Sequence, residues 1–338
     1  MTIPADNRLA RYVGGGRVEI VTEPTPTLPP GGLIVRTEAC GLCSGELMAW
    51  YMDRKLPHVL GHEVAGIVVA SDCTAFPTGT RVFPHHHAPC LRCDHCARRQ
   101  YVQCPQWKST RLQPGGMAEY FAVAAENLSD CHAVDDLHPA DAALIEPLAC
   151  VAKAIRLAPP GADCLVIGLG FMGQLFMHVL PGAVGIDLHP DRVEHAVRNG
   201  HHARTEAPEP DAFDTVYVCP GSQAAFHAAL TAVRPGGTIA MFAPLAPDTA
   251  LEIPQLAYFK EVNVVQCYSA GPPDCVQALR WLRAGIVSAR NVVTHQIALD
   301  ELPDAYVAMR DMRILKPMVI FGDATDRLSD NRASRGAA

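Results

Sequence analysis

Cys164-Leu-Val-Ile-Gly-Leu-Gly-Phe-Met-Gly173 is the stretch that settles the fold of this 338-residue chain. Four apolar residues run straight into a Gly-x-Gly-x-x-Gly pattern, and a stretch with helical spacing, Gln174 to Leu180, follows. Alone, the glycine pattern carries little weight; between a strand and a helix it has a physical task. The first glycine permits a tight turn, the second lets a pyrophosphate reach the backbone, and the third lets helix and strand pack closely. The phosphate then rests on a helix N-terminus. Gly168, Gly170, Phe171, Met172 and Gly173 are therefore the expected dinucleotide-binding loop.

Outward from this loop, short apolar runs recur at Ala183–Asp187, Thr215–Cys219 and Thr238–Phe242. Such runs suit parallel strands covered on both faces. Between them, Arg192–Asn199 and Gln223–Val233 have helical spacing, which predicts a doubly wound α/β unit. The second strand ends in Asp187, where an acid accepts hydrogen bonds from a ribose 2′-hydroxyl and repels a 2′-phosphate. NAD is thus expected over NADP. Pro181-Gly182 should stop the crossover helix early. Before about residue 150 the pattern differs, with β-rich runs such as Gly32–Arg36 and Val64–Val69 separated by Pro/Gly clusters. After about Arg290 extended character is expected again, ending at Phe321, and the polar tail Gly322–Ala338 is expected to be disordered.

Hydrophobic residues make up 49% of the chain and charged residues 19%, a globular balance with enough length for two domains. No run approaches the roughly 20 apolar residues of a membrane span, and Met1–Ala10 lacks the features of a secretory signal. A net charge of −7 argues against a general nucleic-acid binder. The expected setting is the cytosol. There, 13 cysteines point to metal rather than disulfides.

Four of them, Cys90, Cys93, Cys96 and Cys104, fall within one fifteen-residue segment. Four thiolates close a tetrahedral shell around Zn²⁺ with no position left for water, the signature of a structural site. His85-His-His87, just upstream, is expected to be a solvated polar loop; a metal accessory or an internal tag are the alternatives.

Ahead of that lobe stand Ala39-Cys-Gly-Leu-Cys-Ser-Gly-Glu46 and Val59-Leu-Gly-His-Glu-Val-Ala-Gly66. With the lobe, these segments resemble the zinc-containing medium-chain dehydrogenase/reductase family of alcohol, sorbitol and threonine dehydrogenases, from about Gly14 to Phe321. The resemblance implies that Cys43 and His62 are catalytic zinc ligands, with Glu63 a further ligand or exchangeable partner. Glu146, in Ile145-Glu-Pro-Leu-Ala149, would bind the zinc directly or through its water. Arg192 matches a basic family position near the adenosine ribose, although a solvated helix residue is the plainer account. Cys219-Pro-Gly-Ser222 resembles a family loop near the nicotinamide. A small ligand set leaves an open coordination position, where zinc polarises a carbonyl or acidifies an alcohol. Taken alone, His62 would more often be a core histidine; its setting favours the ligand.

Two positions depart from the family pattern. Where a Ser or Thr commonly starts a proton relay stands Gly45, and where a His often follows stands Met48. Ser44 or Glu63 could substitute, or protons could leave through water. Glu46 replaces an Asp that orients the ligand histidine. Met48-Ala-Trp-Tyr-Met52 either lines a roomy apolar cleft or packs the core.

The implied fold is α/β, a Rossmann doubly wound parallel sheet plus a mainly β, partly barrel-like (GroES-like) catalytic domain. The catalytic domain spans 1–153 and 287–338, with the structural lobe at 90–104, and the nucleotide domain spans 154–286. The implied activity is zinc-dependent hydride transfer between a secondary alcohol or ketone and NAD(H), in a homodimer or homotetramer. The rivals are a zinc–NAD imine or conjugated-bond reductase, an epimerase or lyase that oxidises transiently, and a non-catalytic cofactor-binding protein.

Overall fold

The computed structural model describes residues 2–322, and the expectation for the tail therefore lies almost wholly outside the described residues. By contacts the chain divides into two compact units, one of residues 1–90, 105–144 and 293–338, the other of 91–104 and 145–292.

The second unit carries six parallel strands in the spatial order 202–204, 184–186, 164–167, 213–218, 233–241, 263–266. Numbered along the chain this is 3-2-1-4-5-6, the Rossmann order, whose ligand crevice opens between strands one and four. The central strand Cys164–Ile167 is buried at all four positions, as a strand covered on both faces must be. Both outer strands escaped the sequence pattern. His202–Arg204 is three residues long with an exposed histidine, and Asn263–Gln266 is half-exposed, so neither shows a continuous apolar run. The crossover helix ends at Val179, ahead of Pro181-Gly182, as expected.

The first unit is mainly β. Its larger sheet runs 295–297, 317–320, 33–41, 63–71, 81–84, 131–133, with 120–123 also on 33–41 and 112–113 on 120–123. Arg17–Pro24, Asp6–Gly14 and His58–Val59 make a separate three-stranded sheet. Leu33, Val35, Val64, Val68, Val82, Phe121 and Val319 meet in the core between them.

One expectation is corrected here. The segment after Arg290 is not extended throughout, because Leu302–Arg310 is a helix. Its Leu302, Ala305, Tyr306 and Met309 recur at helical spacing and are the buried residues, and Pro303 sits in its first turn, where no backbone N–H is missed.

Candidate active site

Strand register builds the first part of the site. Strands 33–41 and 63–71 pair antiparallel so that Gly41 lies opposite Glu63, and 317–320 pairs with the other edge of 33–41, setting Met318 opposite Gly41. Lys316, just before that strand, is fully buried and pairs through Nζ with Glu63 Oε2, while donating at 2.9 Å to the carbonyl of Leu42. A Cβ on Gly41 would stand 2.2 Å from Glu63 Oε2 and 3.1 Å from Lys316 Nζ, so only glycine leaves room for this ion pair. Gly61, before His62, adopts φ +95°, and a Cβ there would meet the Met117 nitrogen at 2.3 Å. The backbone conformation itself favours glycine there.

Cys43 caps a short 3-10 turn, Ser44–Leu47. Its Sγ accepts from Gly45 N at 3.4 Å, and the Glu46 carboxylate folds back to accept from Cys43 N at 3.3 Å. The same carboxylate accepts from Gly61 N at 2.7 Å and faces His62 Nδ1 at 3.3 Å. One buried acid thus ties the cysteine turn to the histidine and leaves Nε2 as the ring's outward nitrogen. Tyr306 of the late helix donates to the Glu46 carbonyl at 2.8 Å and clamps the turn from behind. Burial alone would raise the Glu46 pKa, but the charge and hydrogen bond of His62 and the Gly61 amide hold it at about 2. For His62, burial works against the cation; Cys43 and Glu46 outweigh it and carry its pKa well up.

Ligand atoms of Cys43, His62 and Glu63 lie within 4.8 Å of one another. A thiol, an imidazole and a carboxylate at that spacing suit Zn²⁺, and three protein ligands leave a coordination position open. Glu146 belongs to the other unit. It is buried in the first turn of helix Ile145–Leu157, where Cys150 Sγ donates to its Oε1 at 3.6 Å. Ser44 is exposed. Of Met48–Met52, Met52 is buried and Tyr51 packs on the core, while Trp50 is 36% exposed. Met52 and Tyr51 thus take the core role offered for this segment.

The three histidines are not a solvated loop. His85 is fully buried, with Nδ1 2.7 Å from Asp130 Oδ2, and Asp130 also meets His132 Nε2 at 3.0 Å. Burial pushes the pKa of His86 well down and, together with Arg111, takes His87 to about 3. The strand Arg81–Pro84 feeds them inward, and Asn127 Nδ2 donates to the carbonyls of His85 and His86 at 3.0 and 3.1 Å. Polarity in the sequence hid this, because the histidine ring buries readily where tertiary packing supplies its neighbours.

In the lobe, ligand atoms of Cys90, Cys93, Cys96 and Cys104 all fall within 4.8 Å of one another. Zinc–sulfur bonds at a tetrahedral angle require sulfur separations of about 3.8 Å; Cys93 and Cys96 stand 3.6 Å apart. Burial and the neighbouring thiols push Cys96 up to about 12, so a bound cation would have to drive its deprotonation.

The nucleotide loop is built as its glycines require. Gly168 sits at φ +88°, and a Cβ there would come within 2.7 Å of Pro220, in the Cys219–Ser222 loop after the fourth strand. A Cβ on Gly173 would lie 1.9 Å from the Gly168 carbonyl, whereas one on Gly170 would point into open space. That open cradle, at the N-cap of helix Phe171–Val179, fits a pyrophosphate. Phe171 is buried and Met172 half-buried behind it. Asp187 Oδ2 accepts from Leu169 N at 2.7 Å and from Arg192 Nη1 at 3.4 Å, and Oδ1 accepts from His189 N at 2.9 Å. Oδ1 keeps a lone pair for a ribose hydroxyl, while Arg192 is drawn to the acid.

Sequence reasoning missed Lys316 and Tyr306. A lysine inside the apolar run Ile314–Phe321 was the available signal.

Residues 29–136 match the alcohol dehydrogenase GroES-like domain, and residues 183–284 match the zinc-binding dehydrogenase family. The D-altritol 5-dehydrogenase of Agrobacterium fabrum is 32% identical over 86% of this chain and 93% of its own length. The sorbitol dehydrogenase of Bacillus subtilis is 27% identical over 90% and 94%. Among solved structures, acetophenone reductase from Geotrichum candidum in complex with NAD superposes with a TM-score of 0.83 at 19% identity, covering 95% of this chain and 98% of its own. A zinc-binding dehydrogenase from Sinorhizobium meliloti bound to NADP superposes at 0.84 and 22%, covering 94% and 100%.

Proposed function

From its membership of the zinc-containing medium-chain dehydrogenase/reductase family, an alcohol- and sorbitol-dehydrogenase-like group, we propose that this chain oxidises a secondary alcohol of a polyol, or reduces the matching ketose, with NAD(H). Zinc-dependent alcohol/ketone oxidoreduction with a nicotinamide cofactor is the activity of the family. The observation that carries the proposal is the Cys43–His62–Glu63 cluster, with His62 oriented by Glu46. The polyol class is supported by the altritol and sorbitol dehydrogenases among the relatives.

In this assignment Cys43, His62, Glu63 and Glu146 serve the catalytic zinc, and Cys90, Cys93, Cys96 and Cys104 the structural one. Gly168, Gly170, Phe171, Met172 and Gly173 cradle the pyrophosphate, and Asp187 takes the ribose hydroxyls, favouring NAD over NADP. When bound, zinc acidifies the alcohol and the nicotinamide accepts its hydride. The chain's own part is orientation. Glu46 fixes the tautomer and angle of His62, and the Gly45 amide supports the Cys43 sulfur. Proton departure needs a route to water. Glu63 is 1% exposed and engaged by Lys316, so it makes a poor shuttle, whereas Ser44 Oγ beside Cys43 is open to solvent and is the exit we assign.

The functional division proposed is 1–153 with 287–338 for catalysis and 154–286 for the nucleotide; the compact units differ from it at 91–104, 145–153 and 287–292. A homodimer or homotetramer is proposed as well. The edge strand Asn263–Gln266 is unpaired on one side among the described residues, and Tyr258 and Phe259 beside it are 78% and 71% exposed. A cytosolic setting accords with the 13 cysteines, none in a disulfide among the described residues. No helix among the described residues is long and apolar enough to cross a membrane.

The test is a panel of polyols and simple secondary alcohols with NAD⁺ and NADP⁺, read at the nicotinamide absorbance, with and without chelator. Stoichiometric NADH from a polyol, abolished by chelation, is expected. Full turnover after zinc removal would refute the assignment, and turnover without net NADH would turn it toward an epimerase or lyase.

A further inference from the structure

The triple histidine is the motif that the reaction above leaves unused, and its middle member stands beside the site. His86 packs its ring on His62, with centroids 4.9 Å apart and planes at 47°. His85 and His87 hold it from either side, at 5.0 and 4.2 Å. Both flanking rings are anchored, His85 on Asp130 and His87 through Nδ1 on the Thr110 carbonyl at 2.7 Å, and Asn127 fixes the backbone between them. Within this rigid frame His86 Nδ1 is buried and has no hydrogen-bond partner among the described residues. A buried polar nitrogen left this way is costly, and where one persists a ligand or an ordered water completes it.

The surroundings narrow the choice of ligand. Gly45 and Met48 carry no hydrogen-bonding side chain, and His86, its ring packed on His62, stands beside the ligand cluster. A hydroxyl both donates and accepts and therefore satisfies Nδ1 in either tautomer; a carboxylate can only accept and an ammonium can only donate. We propose that His86 is a specificity-determining residue that hydrogen-bonds, through Nδ1, the hydroxyl on the carbon next to the reacting carbon, so that the site selects polyhydroxylated substrates over simple secondary alcohols. This rests on the secondary-alcohol dehydrogenase assignment above. A site built to bond a hydroxyl rejects the analogue lacking it, because its own polar group is then left unpaired.

The test compares matched alcohols that differ by that one hydroxyl, 2,3-butanediol against 2-butanol and xylitol against a deoxy analogue, in the zinc-loaded enzyme with NAD⁺. In His86→Phe, which keeps a ring against His62, the ratio of kcat/KM for diol over mono-alcohol should fall about 10- to 100-fold. His86→Asn, which keeps a hydrogen-bonding group, should recover part of that ratio. Calorimetry of diol binding to the NADH complex should show the same order, and the zinc content of both variants should equal that of the parent. An unchanged ratio in His86→Phe overturns the proposal while leaving the dehydrogenase assignment standing. So does a fall in zinc content, which would make His86 a metal ligand. If the parent enzyme oxidises no alcohol in the panel, the underlying assignment fails and the proposal falls with it.

Discussion

Replacing Lys316 with methionine isolates the energetics of the buried pair beneath the site. Lys316 is fully buried, Glu63 is 1% exposed, and the ammonium also bonds the Leu42 carbonyl at 2.9 Å. Methionine fills a similar volume but supplies no charge, leaving the Glu63 carboxylate buried beside Gly41 without its ammonium. Removing one partner of a buried pair costs about 3–5 kcal/mol, most of it the penalty of the stranded charge. For a domain of this size each kcal/mol is worth about 2–4 °C, so the melting temperature should drop by about 6–20 °C. Thermal and urea melts of the metal-free protein measure this, because zinc held by Glu63 would offset part of the loss. The decisive comparison is the double variant Glu63→Gln/Lys316→Met. Once the carboxylate is neutral, more than half of the lost stability should return, because replacing both members of a buried pair is often close to neutral. A loss below about 1 kcal/mol in the single variant, or a double variant no more stable than the single one, would refute the buried-charge account.

Further outcomes are expected elsewhere. Cys93→Ser should lower bound zinc from two ions per chain to one and destabilise the lobe, measurable by metal analysis and limited proteolysis. Asp187→Ser removes the acceptor for the ribose hydroxyls and the repulsion of a 2′-phosphate; kcat/KM with NAD⁺ should fall about tenfold or more while that with NADP⁺ rises. Stability should also depend on pH through His178, which burial, aided by His201, pushes from 6.5 down to about 4. In that range the unfolded state holds the extra proton, so stability is complete above about pH 6.5 and is lost as pH falls toward 4, by about 2–3 kcal/mol at most. His178→Phe should flatten the melting profile over that interval. Gly41→Ala should resemble Lys316→Met in stability, since its Cβ would displace the Glu63 carboxylate.

The linear order of residues determined much of this protein. The glycine loop, the strands that follow it and the four-cysteine lobe are local features, each made by residues within one turn or one segment, and their spacing alone exposes them. Cys43, His62 and Glu63 stood out only through the resemblance of their motifs to a family, and the fold brings their ligand atoms together. What the sequence left open rests on contacts between distant residues. Lys316 meets Glu63 from 253 positions away because three strands align, and Tyr306 reaches Glu46 from 260 positions away on a helix whose buried face was masked by extended neighbours. Polar letters also mislead when tertiary packing supplies their partners. His85-His-His87 carries a solvated pattern, yet Asp130 holds His85 fully buried, Thr110 and Asn127 anchor its neighbours, and His86 packs on His62. Spacing along the chain determines which groups can act together locally; only the folded sheet decides which charge is stranded, which is paired, and which nitrogen is left for a substrate.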